Sequence, residues 1–126
     1  MEALPMSQTD LDATQLGSIQ ISPEVIGAIA GLAAVEVEGV VGMSGGFSGG
    51  IAQLLGRKNL SQGVKIEVGE TETAVTVSVI LVYGVKIPEV TYEIQRVVKQ
   101  AVEAMASLNV VEVNVIVEGV QFPVNG

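Results

Sequence analysis

Neither cysteine nor histidine occurs anywhere in the 126 residues. Without thiols there is no disulfide framework and no thiolate nucleophile. Without imidazoles, a Ser–His–Asp triad, a histidine general base and a histidine-ligated zinc site are all excluded. Aromatics are nearly as scarce. Phe47, Tyr83, Tyr92 and Phe122 are the whole set, too few for a platform on which nucleic-acid bases stack. Six Lys and Arg stand against fourteen Asp and Glu, a net charge of −8. A polyanion is repelled at long range by such a surface, so no nucleic-acid partner is expected. The six basic residues (Arg57, Lys58, Lys65, Lys86, Arg96 and Lys99) all fall in the middle of the chain, which leaves room for a small local basic patch.

Long apolar runs are missing as well. The longest, Val25 to Val35, ends at Glu36, far short of the ~20 residues a membrane-spanning helix needs. No basic residue precedes a greasy run near the N-terminus, so no export signal is read there. With no cysteine either, the expected location is the cytoplasm.

What the chain does have is 48% hydrophobic residues, enough for one domain to bury a core without staples. Residues 1–16 are polar and aperiodic and are expected to form a flexible N-terminal tail; residues 17–124 carry the pattern of a single domain. Ser18–Ser22 alternates and predicts a short strand. Ser22-Pro23-Glu24 is a helix start: a hydroxyl for the early free N–H groups, proline in the first turn, and an acid at the positive end of the dipole. The helix should run to about Glu36 with Val25, Ile26, Ile29, Leu32 and Ala33 buried, while Gly27, Ala28, Ala30 and Gly31 permit close packing. A glycine-dense stretch, 44–50, resists regular structure. Strands are expected at Val64–Val68 and Ala74–Tyr83, joined by a turn over Gly69–Thr73. Pro88-Glu89 opens a second helix whose stripe is Ile94, Val97, Val98, Ala101, Val102, Met105 and Leu108, stopped near Asn109. Val110–Val117 is the last strand.

The order strand, helix, strand, strand, helix, strand predicts an α+β two-layer sandwich, ferredoxin-like or similar. Parity predicts two helices on one face of a mostly antiparallel sheet: Val64, Ile66, Val75, Val77, Val79, Leu81 and the odd-numbered valines 111–117 face inward, and Lys65, Glu67, Thr76, Ser78, Glu112 and Asn114 face water. Ile80, Val82 and Ile116 break the rule, being apolar on the wet side. Either a chain terminus covers them, through Leu11 or Phe122, or they form an intermolecular contact.

Chemistry is poorly provided for. The glycine-rich stretch lacks both dinucleotide and P-loop spacing; docking a partner through Met43, Phe47 and Arg57 or Lys58 suits it better than catalysis. The paired carboxylates Glu36/Glu38, Glu70/Glu72 and Glu112/Glu118 come without a third ligand type, so no metal or cofactor is expected. Tyr83 and Tyr92 flank Pro88 and are expected to pack.

Four segments in order resemble the alkaline-shock, or envelope stress response, family of Gram-positive bacteria: ISPEVIGAIAGLAAVEVEGVVGM (21–43), LLGRKNLSQGVKIEV (54–68), VYGVKIPEVTYEIQRVVKQAVEAM (82–105) and VVEVNVIVEGVQF (110–122). The resemblance implies a non-enzymatic interaction or scaffold protein of the cell-envelope stress response. Such a protein acts by self-association as a homo-oligomer or by docking to a membrane-anchored relative. It also leaves open an accessory subunit of a kinase of the fatty-acid or dihydroxyacetone type. A small-molecule regulatory module is a third reading, supported by the glycine-rich stretch alone.

Overall fold

The computed structural model describes residues 16–45 and 61–122. The elements are α1 (Pro23–Val35), β1 (Val40–Met43), β2 (Val64–Val68), β3 (Thr73–Val82), α2 (Ile87–Ala106) and β4 (Val110–Gln121).

The first helix starts as its sequence dictates. Ser22 stays extended and its hydroxyl accepts from the Val25 N–H at 3.3 Å, with proline in the first turn and Glu24 beside it. The second helix begins at Ile87 and ends at Ser107, a non-glycine residue in the left-handed region (φ 58°) whose N–H donates to the Glu103 carbonyl. The expected stop at Asn109 lies two residues further on. Asn109 instead reaches back, its side-chain amide donating to the Thr71 carbonyl at 3.4 Å.

Central β3 organises the sheet. Along one edge β4 runs parallel, from Thr73 opposite Val110 to Val82 opposite Gln121, with α2 as the crossover that a parallel pair requires. Two short antiparallel strands share the other edge. β2 pairs with the first half of β3 (Val68 opposite Thr73, Val64 opposite Val77) and β1 with the last part (Met43 opposite Val79, Val40 opposite Leu81). They meet end to end at Ser78, whose N–H donates to the Gly63 carbonyl and whose carbonyl accepts from the Ser44 N–H, both at 2.8 Å. Gly63 at this junction has φ +83°, and a Cβ there would lie 3.0 Å from the Ser44 carbonyl oxygen. The position therefore requires glycine.

Both helices cover one face. Val75, Val77, Val79 and Leu81 of β3 meet Ile94, Val98, Val102 and Ala106 of α2 and Ile26, Ala30 and Ala34 of α1, and together these form the core. Burying each large side chain contributes about 1.5–3 kcal/mol.

The expected α+β class, with two helices on one face of a mostly antiparallel sheet, is the observed one. The element order, however, is helix, three strands, helix, strand. Ser18–Ser22 forms no strand, and Ile19, 59% exposed, has no core to hold its alternation in place. The fourth strand is β1, which has no alternation to reveal it: Val40 and Val41 are adjacent, and the register shifts between Val40 and Gly42. On α1 the buried set is Ile26, Gly27, Ala30, Gly31 and Ala34. Val25 and Leu32, expected inside, are about half exposed. A Cβ at Gly27 would stand 2.7 Å from Ser61 Cβ, so the helix lies too close to its neighbour to seat large side chains on that side. On α2, Met105 points outward and Ala106 takes the core place. Val111 is also outside. The register passes from Thr73–Val110 to Ala74–Glu112, leaving Val111 as the extra residue of a bulge, and Val110 is buried in its stead.

Candidate interaction surfaces

The face of the sheet away from the helices carries Ala74, Thr76, Ser78, Ile80 and Val82 of β3, with Glu112, Asn114 and Ile116 of β4 beside them. Ile116 lies opposite Ser78, and Ile80 lies one step on, opposite Gly119. Ile80 leans across that gap, since a Cβ on Gly119 would come within 3.3 Å of its Cδ1. The three apolar exceptions thus share one face: Ile116 is 46% exposed, while Ile80 and Val82 are half-buried. A side-chain bond also spans this region. Ser44, just after β1, donates from its hydroxyl to Glu118 Oε1 on β4 at 2.7 Å, linking the two outer strands across β3.

The other expected contact residues fare differently. Met43 sits opposite Val79 and packs half-buried against the core. Phe47, Arg57 and Lys58 lie outside the described residues, as does Leu11. Phe122 stacks on Tyr83 with ring centroids 4.5 Å apart, so Tyr83 pairs with Phe122 and not with Tyr92, which is 65% exposed.

The outer edge of β4 is partly guarded by α2. Lys99 Nζ donates to the Val110 carbonyl at 2.7 Å, Glu103 Oε2 accepts from the Val110 N–H at 3.0 Å, and Gln95 donates to the Val113 carbonyl at 2.9 Å. Satisfying these groups removes a template for strand addition at that end. Lys99, 2.9 Å from Glu103, holds the Glu103 carboxyl below the usual carboxylate range, and the Val110 N–H adds to the effect. Arg96 does the same to Glu93 through two bonds of 2.6 and 3.0 Å. These charges are structural pairs on a wet helix face.

Among the paired acids, Glu70 and Glu72 are exposed in the β2–β3 turn, closed by the Gly69 N–H donating to the Glu72 carbonyl. Glu112 accepts from Asn114. No group of three metal-ligating side chains occurs among the described residues. Glu36 and Glu38 border a hollow between the two helices that periodicity alone did not reveal, because its two banks are far apart in the chain. Among the described residues, no helix is long and apolar enough to cross a membrane.

Comparison with known proteins places these surfaces in context. Residues 11–122 match the pattern of a family described by a cell envelope-related function, named for alkaline shock protein 23. The uncharacterized protein YqhY of Bacillus subtilis is 38% identical over 113 residues, covering 90% of this chain and 84% of its own. Another B. subtilis protein, the uncharacterized YloU, is 37% identical over 110 residues, covering 86% of this chain and 92% of its own. A stress response regulator gls24 homolog of Streptococcus pyogenes is 33% identical over 107 residues; the match takes in 84% of this chain but 60% of that longer protein. No solved structure matches.

Proposed function

Because this chain belongs to the alkaline shock protein 23 family, whose described function is cell envelope-related, we propose that it is a non-enzymatic interaction module of the envelope stress response. It works through surfaces, with residues 17–124 as the module, and its partners are further copies of itself or a membrane-anchored protein. The observation that carries this reading is the sheet face left open by the helices, on which Ile80, Val82 and Ile116 bring three branched apolar side chains together. A branched side chain removed from water contributes about 1.5–3 kcal/mol before the costs of association, so a few such residues per partner suffice for a weak, repeatable contact.

Ile116 is the residue to change, being 46% exposed and outside the core. Ile116→Asp is expected to leave the circular dichroism spectrum and melting unchanged while abolishing concentration-dependent growth in mass, measured by light scattering behind size exclusion. Assembly unchanged in I116D eliminates this face as the contact. A wild-type protein that stays monomeric at every concentration removes self-association and leaves the docking or kinase-accessory role, which co-purification with the membrane-anchored protein or the kinase distinguishes.

A further inference from the structure

On the opposite side of the molecule from the open sheet face, a hollow of about 720 Å³ runs between the end of α1 and the outer side of α2. Its floor is apolar and mostly small: Ala33 and Val37 from the α1 side, Val90, Val97, Ala101 and Ala104 from α2. Its rim is acidic on both banks, with Glu36 and Glu38 facing Glu89 and Glu93. Of these four carboxylates only Glu93 has a basic partner among the described residues, Arg96. The α1 bank is more negative than its two glutamates alone make it. Glu36 caps the C-terminus of α1, and no basic residue occupies the last turn of that helix. The negative end of the α1 dipole therefore adds to the same bank.

We propose that this groove is a docking site for a basic amphipathic helix of another protein. The floor sets the apolar part: alanines at 33, 101 and 104 leave space for larger aliphatic side chains projecting at i, i+3/i+4 and i+7, the helix-in-groove mode. The rim sets the polar part, Lys or Arg flanking that stripe, with one cation seated at the end of α1, where the last turn carries no basic residue. Residues 89 to 104 of α2 define a trough of about 22 Å, matching about four turns of helix. Charge also selects against a second copy, because each chain carries −8 and four glutamates line this groove. The site is separate from the sheet face, so the two proposals stand or fall independently.

The test uses the full chain and two synthetic helical peptides of about four turns. Both carry the same leucine–alanine stripe; one is flanked by lysines, the other by glutamates. Titration calorimetry should show binding of the lysine peptide alone, and the chemical shifts of Ala33, Val37, Val97 and Ala101 should move on its addition. Charge reversal at Glu36→Lys with Glu38→Lys, both exposed positions, should weaken binding at least tenfold without lowering the melting temperature, since a cation suits the end of α1. Four results would each overturn the proposal: no binding of the lysine peptide, equal binding of both peptides, shifts confined to the sheet, or full displacement by spermidine, which carries charge but no apolar stripe. Peptide affinity that rises on reversing Arg57 and Lys58 would also overturn it, by assigning the groove to the chain's own 51–58 segment.

Discussion

Glu103 does more than its place on a wet helix face suggests. Its carboxylate accepts from Lys99 on its own helix and from the Val110 N–H of the next strand, so a single side chain fixes where β4 leaves α2. Its folded pKa is lowered by these contacts. The stability it contributes is therefore complete above the unfolded value of about 4.3 and is lost as pH falls through the lower folded value. Glu103→Gln is expected to destabilise the protein by about 1 kcal/mol at neutral pH. In the variant, melting temperature should fall less steeply with acidification below about pH 4.5; a series of thermal melts across that range checks both. An acid limb as steep as that of the wild type would show that other carboxylates dominate it.

At the scale of elements, the rule that apolar residues face inward succeeds on β2, β3 and, apart from Met105, α2, and holds only in part on α1, where Ile26 is buried but Val25 and Leu32 are not. The stripe of α2 was readable because Ile94, Val98 and Val102 recur every fourth residue and are all buried. On α1 size and hydrophobicity point to Val25 and Leu32 for the core, yet the buried surface is Gly27, Ala30, Gly31 and Ala34 with Ile26. Close approach, not hydrophobicity, decides that face, and no periodicity measures distance. The same holds for β1, whose strand character comes from the free upper edge of β3, and for Val111, displaced by a bulge that its sequence does not announce. The placement of Ile80 and Val82 on the open face was legible from parity, because alternation is strict along β3, and Ile116 of β4 lies on the same face. The groove between the helices was not, because its glutamates lie some fifty residues apart in the chain. A double-mutant cycle tests the close approach of α1. Gly27→Ala places a methyl group 2.7 Å from Ser61 Cβ and is expected to cost about 1–3 kcal/mol by overpacking. Adding Ser61→Gly should restore much of that loss, and chemical denaturation of the three variants measures the coupling. Additive losses would place the strain elsewhere.

For the whole molecule, the sign of the charge matters more than the detail of any ion pair. Copies bearing −8 each repel, and salt screens that repulsion over a Debye length of about 10 Å at 0.1 M. Self-association through the open face should therefore strengthen as salt rises from about 0.02 to 0.3 M, while binding of a basic helix in the groove should weaken over the same range. Light scattering and calorimetry at matched salt concentrations follow the two trends side by side. Assembly that dissolves with added salt would mean that charge pairing, not the isoleucines and valine, holds copies together.

The shared edge of β3 has a broader meaning. Ser44, just after β1, and Gly63, just before β2, both bond to one residue, Ser78. The two strand ends thus share one address, and the register on either side is set there. Closing a longer excursion costs only about 0.6 kcal/mol per doubling. The sheet therefore works as a socket: the bonds that Ser78 makes to Ser44 and Gly63 set the register on either side, and neither depends on how many residues join them.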